Sequence, residues 1–256
     1  MARSPRPTRA KPAAARGAAL VVGVGPPAGL GAALARRFAR EGLAVHLAGR
    51  TPARLEAVAA DLRRETGAQV HAHVADATRE QDVQALLAAA DGGGDLTLVA
   101  FNVGANAAAP LLELTADTFE TLWRQNALAG FLVGREAARR MLPRGAGSIL
   151  FTGATASLRA RPPFTGFAAA KAALRAVAQG LAREVGPAGL HVAHVVIDGV
   201  IDGDYAARHF PQFVAARGPD GLLAPDDIAD VFWTLHRQPR STWTQELDLR
   251  PFKEPF

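Results

Sequence analysis

Three glycines and one arginine carry the clearest chemical signal in this chain. Gly25-Pro26-Pro27-Ala28-Gly29-Leu30-Gly31 follows a short apolar run, Ala19 to Val24, and leads straight into the helical pattern Ala32-Ala33-Leu34-Ala35-Arg36-Arg37-Phe38. Glycines at such a junction permit a tight turn and let a phosphate approach the backbone. The free N–H groups and positive dipole at the helix start then favour its charge. The spacing predicts a pyrophosphate cradle built from Gly25, Gly29, Leu30 and Gly31. A second apolar run, Ala44 to Ala48, ends at Gly49-Arg50, where a site for an unphosphorylated adenosine ribose usually carries an acid. No acid stands at Gly49. Arg50 can pair with a 2′-phosphate through its planar fork of donors, or it can be a solvated residue opening a loop. The first reading makes NADP(H) the expected dinucleotide.

Other chemistries are excluded or weak. The chain has no cysteine, so it has no disulfide, no thiolate nucleophile and no cysteine-ligated zinc or iron-sulfur centre. Of its seven histidines, His71 and His73 share one face of a strand, while His191 and His194 are not spaced as a ligand pair. Without a carboxylate at supporting spacing, no metal site is expected.

Positioning the glycine turn requires a strand before it and a helix after it, and the chain repeats that alternation. Strand-like runs cover Ala19 to Val24, Ala44 to Ala48, Gln69 to Ala75, Leu96 to Phe101, Gly147 to Thr152, His191 to Ile197 and Thr244 to Leu249. Helical periodicity covers Gly31 to Glu41, Pro52 to Gly67, Arg79 to Ala90, Ala116 to Leu142 and Phe164 to Val185. This order predicts an α/β, Rossmann-type doubly wound parallel sheet of about seven strands with helices on both faces. Gly92-Gly93-Gly94 reads as a loop, and Asp202 to Pro225, rich in glycine, proline and charge, as a mobile loop with short helices.

The 256 residues suit one domain, expected over residues 18–256. Five of the 29 basic residues, Arg3, Arg6, Arg9, Lys11 and Arg16, fall in residues 1–17, leaving 24 basic against 24 acidic in the body. A neutral body argues against nucleic acid as a partner, and the start reads as a disordered basic tail. No apolar stretch reaches the ~18 residues of a membrane span, and nothing resembles a signal peptide, so a soluble cytoplasmic protein is expected.

From Ala18 onward the chain resembles the short-chain dehydrogenases/reductases. The G-x-x-x-G-x-G spacing of Gly25, Gly29 and Gly31 is that family's, Asp76-Ala77 fits its adenine position, and Asn102-Val103-Gly104 fits its N-A-G turn with Phe101 ahead of it. Gly199 and Ile201, after the sixth strand, complete the coenzyme contacts that the resemblance implies. In the family, Tyr in Tyr-x-x-x-Lys moves the proton, Lys lowers its pKa and holds the ribose, Ser binds the substrate oxygen and Asn supports a water relay. Asn126 and Lys171 match the Asn and the Lys. Phe167, four residues before Lys171, stands where Tyr belongs, and Ala154, thirteen residues before Phe167, stands where Ser belongs. The chain's single tyrosine is Tyr205, and the wider spacing of enoyl reductases falls on Phe164.

Phenylalanine keeps the ring but has no proton to give, a loss of about 10²- to 10⁴-fold for a general acid. Thr155 could present a hydroxyl instead, or have it satisfied by nearby backbone. Lys171 could act directly if burial lowers its pKa. Asp198 replaces the family's usual proline. It reads with Asp202, Tyr205 and His209 as a surface or turn residue, closure over substrate being the alternative. The resemblance thus implies an NADP(H)-dependent oxidoreductase of small molecules with an atypical site. A catalytically silent NADP(H)-binding sensor or assembly subunit, and non-redox chemistry, stay open. It also implies a homodimer or homotetramer through the apolar helices around Phe119 to Met141 and Phe164 to Gly186, with internal core packing as the equal alternative.

Overall fold

The computed structural model describes residues 17–92 and 95–254. The expected tail lies outside the described residues except for Gly17, as do Gly93 and Gly94. Seven strands, β1 (Ala18–Val22), β2 (Ala44–Gly49), β3 (Val70–Val74), β4 (Leu96–Phe101), β5 (Gly147–Thr152), β6 (Leu190–Ile197) and β7 (Glu246–Leu249), form one parallel sheet ordered β3-β2-β1-β4-β5-β6-β7. The central strands are near-continuous apolar runs because both of their faces are covered. Every residue of β1 and β6 is buried.

On one face lie α1 (Leu30–Arg40), α2 (Pro52–Thr66) and α9 (Pro225–Arg237), packing Phe38, Leu55, Leu62 and Phe232 onto Val21, Val45 and Val195. On the other lie α3 (Glu80–Asp91), α5 (Ala129–Met141) and α6 (Thr165–Val185), packing Leu87, Val133 and Leu174 onto Leu20, Phe101 and Phe151. The fold expected from the alternation is the fold observed. No helix among the described residues is long and apolar enough to cross a membrane.

Element bounds shift by a residue or two in places, β7 starting at Glu246 instead of Thr244, and three differences have a clear local cause. β1 stops two residues early because Gly23 turns the chain at φ +99°. The expected helix Ala116 to Leu142 is α4 (Ala116–Trp123) and α5 joined by a π-helical turn, Arg124–Leu128, with Asn126 inside it. The segment after β6 does contain short helices, α7 (Asp204–His209) and α8 (Pro211–Arg217), but α9, unforeseen, follows them. Its start signals were present: Pro225 opens it and Asp226 and Asp227 sit in its first turn. Ile228, Ala229, Phe232 and Leu235 form its single buried stripe, easily missed beside a charged, glycine-rich stretch.

Candidate active site

The C-terminal ends of parallel strands are where open α/β sheets place their ligands, and most of the expected residues gather there. The glycine turn hangs on β2, since Gly23 N–H and Val24 N–H both donate to the Ala48 carbonyl at 2.9 and 3.0 Å. Gly29 caps α1 in extended conformation, and the first turn of α1 carries no acid. A Cβ on Gly31 would lie 2.7 Å from the Gly23 carbonyl oxygen and 2.9 Å from Val24 Cα, so only glycine lets α1 approach β1 this closely. A Cβ on Gly25 would meet nothing within 4 Å. One glycine is a packing necessity, and the other faces open space beside a helix N-terminus, which fits a phosphate.

Gly49 has a packing cause that the sequence did not reveal. A Cβ there would come within 2.9 Å of the Val24 carbonyl, so the missing acid follows from the turn's crowding as well. Arg50 is exposed at the end of β2. Asp76 accepts from Thr78 N–H at 2.9 Å and Thr78 hydroxyl at 2.8 Å. Burial pushes the Asp76 carboxyl up, but those two donors and the nearby Arg50 and Arg79 hold it below its ordinary value. Asn102 ties β4 to the turn by donating to the Gly23 carbonyl at 3.1 Å.

Lys171, on α6, is buried and donates through Nζ to the Thr152 carbonyl at 3.0 Å. Its Nζ lies 3.9 Å from where a Cβ on Gly104 would stand, which brings it beside the loop after β4. Desolvation lowers its pKa to about 8. The Phe167 ring, one turn earlier on α6, has its centroid 5.9 Å from the same nitrogen. Asn126 is fully buried, its amide donating to the Ala105 carbonyl at 3.0 Å and the Leu122 carbonyl at 2.9 Å. The π-turn that holds it packs against α6, so Asn126 and Lys171 are brought to adjoining elements.

Two expectations need correction. Thr155 does not spend its hydroxyl on backbone; it donates to Asp198 Oδ1 at 2.6 Å. Asp198 is no surface residue. It is 4% exposed, at the end of β6, and also pairs with Arg159 at 3.3 Å and with Arg250 after β7. One carboxylate therefore joins the segments that follow three neighbouring strands. Tyr205 and His209 do remain exposed on α7, their rings stacked 4.2 Å apart. Gly199 abuts Pro251, with a would-be Cβ 2.7 Å from Pro251 Cδ, and Ile201 bridges to Leu223.

A further chain of polar groups escaped the sequence reading. Arg175 grips Glu246 with two bonds of 2.6 Å, Glu246 meets His194 Nδ1 at 2.9 Å, and His194 Nε2 lies 3.4 Å from Ser157 Oγ. Ser157 in turn accepts from Ala154 N–H at 3.1 Å. Burial pushes the His194 imidazole down, against the pull of Glu246. A serine, histidine and glutamate in this order suggest a nucleophile, but Ser157 is buried, its oxygen is occupied and its reach to His194 is long, so the chain clamps the turn after β5. His194, one of two histidines in a strand that is otherwise apolar, was the available signal. At the sheet edge, His46 lies against both His71 and His73, ring centroids 4.8 and 5.1 Å away, with His46 Nδ1 2.9 Å from His73 Nε2. Among the described residues, no group of three or more His, Cys, Asp or Glu could hold a metal ion.

Comparison with known proteins identifies the family and the fold. The profile of the family described as short chain dehydrogenase matches residues 18–212. The chain is 30% identical over 221 residues to gluconate 5-dehydrogenase of Gluconobacter oxydans, covering 86% of this chain and 80% of that one. A solved short-chain dehydrogenase from Rhodopseudomonas palustris is 40% identical with a TM-score of 0.78, over 92% of this chain and 98% of that one. An alcohol dehydrogenase from the archaeon Thermococcus sibiricus, complexed with 5-hydroxy-NADP, is 25% identical with a TM-score of 0.78, over 93% and 98%.

Proposed function

Because the chain belongs to the short chain dehydrogenase family, we propose that it is an NADP(H)-dependent oxidoreductase of small molecules in which Lys171 handles the proton. In this reading Phe167 and Ala154 occupy the positions where the family carries its tyrosine and serine. The observation that carries it is Lys171 itself, buried and hydrogen-bonded to a carbonyl, with no carboxylate partner among the described residues.

Gly25, Gly29, Leu30 and Gly31 would hold the pyrophosphate, Arg50 the 2′-phosphate, and Asp76 and Ala77 the adenine. Asn102, Gly104, Gly199 and Ile201 would line the remainder. When bound, NADP(H) supplies or accepts the hydride. With its pKa lowered to about 8, Lys171 Nζ can give up a proton near neutral pH, the role for which Phe167 has no O–H. Asn126 fixes the loop after β4 through the Ala105 carbonyl. Thr155 has committed its proton to Asp198, so it is poorly placed to donate to a substrate oxygen. A homodimer or homotetramer belongs to the same proposal, supported by Phe119, Trp123 and Phe131 exposed on α4 and α5.

The test follows NADPH oxidation over a panel of ketones, imines and enones. Wild type should turn over ordinary ketones slowly, and Phe167→Tyr, alone or with Ala154→Ser, should raise that rate by about 10²- to 10⁴-fold. Wild-type turnover equal to that of the double variant would show that the two positions are not those of the tyrosine and serine.

A further inference from the structure

At the opposite end of the sheet from the glycine turn lies a cavity of about 670 Å³, lined among others by Thr97, Ser148, His191, Trp233, Arg237 and Trp243. It opens among the first residues of β4, β5 and β6 and the last turn of α9. Its size falls within the ~300–1,000 Å³ of small-molecule sites. Two of the chain's three tryptophans face it.

The aromatic walls are held in place. Trp243 lies flat against the His191 ring, centroids 4.9 Å apart and planes 2° from parallel, and its indole N–H donates to the Gln238 carbonyl at 3.2 Å. The Trp233 ring carries the Arg37 and Arg237 guanidinium groups at 5.8 and 6.0 Å from its centroid. Charge at the rim is one-sided. Arg237 and Arg240 have no carboxylate partner among the described residues, and Arg240 is steadied by the Gly145 carbonyl at 2.7 Å. Glu41, the one acid in the lining, is already taken by Arg37. Both imidazoles are engaged, His236 with Ser148 Oγ at 3.0 Å and His191 with the Thr244 carbonyl at 2.9 Å. Burial, more than the neighbouring Arg237 and His191, lowers His236 to about 4, so it adds no charge at neutral pH.

We propose that this cavity is a second ligand site, separate from the coenzyme site, for a planar aromatic carboxylate or phosphate. The fixed indole rings in the lining offer aromatic contact, and the Arg237 and Arg240 guanidinium groups offer charge-assisted hydrogen bonds to the anion.

The experiment uses the full chain with Trp123→Phe, so that only Trp233 and Trp243 report, titrated with 4-nitrobenzoate with and without saturating NADP⁺. Tryptophan quenching should saturate, with the same half-point in both cases. Neutral nitrobenzene should bind at least about tenfold more weakly, and Arg237→Gln should weaken 4-nitrobenzoate about as much. Arg237→Gln should leave the fold intact, since among the described residues that guanidinium makes no ion pair and lies over the Trp233 ring at the cavity rim. Non-saturating quenching, equal affinity for nitrobenzene, indifference to Arg237→Gln, or displacement by NADP⁺ would each overturn the proposal.

Discussion

Gly25 and Gly31 stand six residues apart in one turn, yet the same substitution should harm them in opposite ways. In Gly31→Ala the new methyl meets the Gly23 carbonyl at 2.7 Å and Val24 Cα at 2.9 Å, both backbone atoms that cannot swing aside. The expected cost is that of overpacking, about 1–3 kcal/mol of folding stability, without any coenzyme present. In Gly25→Ala the methyl enters space with no protein atom within 4 Å. Stability should hold, or rise by up to about 1 kcal/mol as the unfolded chain loses freedom. The damage appears only when a phosphate needs that space. NADPH at about 100 times its wild-type Kd should stabilise the wild type by about 2.7 kcal/mol, and a tenfold weaker complex at the same concentration by only about 1.4 kcal/mol. Urea unfolding with and without NADPH reads both numbers, and calorimetric titration checks the affinity directly. If Gly25→Ala binds NADPH as tightly as the wild type, the open space is not the pyrophosphate cradle. If Gly31→Ala is as stable as the wild type, the close approach of α1 to β1 is not what demands glycine.

Arg50→Ala should lower NADPH affinity about tenfold and leave NADH unchanged, the lower end of what charge-assisted hydrogen bonds contribute because the side chain is exposed; a wild type that binds both coenzymes equally would remove the 2′-phosphate role. Reduction should fall as pH rises through about 8, where Lys171 loses the proton it gives. The same group shapes stability: the unfolded chain keeps this proton up to 10.5 while the folded chain releases it near 8, so folding stability should gain from Lys171 as pH climbs through that window, a slope absent in Lys171→Met. Asp198→Ala removes the buried carboxylate, 5% exposed, that Arg159 and Arg250 share, and the loss should approach the lower end of the ~3–5 kcal/mol of a broken buried pair. Asp248, 3.7 Å from Arg250, moderates it, and an unfolding free energy lowered by less than about 1 kcal/mol would contradict the clamp.

The elements of the sheet, the glycine turn and the pairing of Lys171 with a phenylalanine one helical turn before it were legible from the sequence alone, because each is a local pattern: a period of two or 3.6, a glycine at a junction, a spacing of four. What the site does with its polar groups was decided by the tertiary structure. Arg175 and Glu246 lie 71 residues apart, Thr155 and Asp198 43, and Ser157 and His194 37, and no periodicity links such pairs. Thr155 and Asp198 meet because β5 and β6 deliver their C-terminal ends side by side, whereas Glu246 opens β7 opposite His194 in the middle of β6, against which α6 packs with Arg175. Burial is equally non-local. Lys171 reads as an ordinary lysine in a helix until α6, the π-turn and the end of β5 close around it, and only then does desolvation bring its proton within reach of neutral pH. Asp198 reads as a turn residue by type, and it is a buried anchor because two arginines from segments it never neighbours in sequence arrive on either side of it.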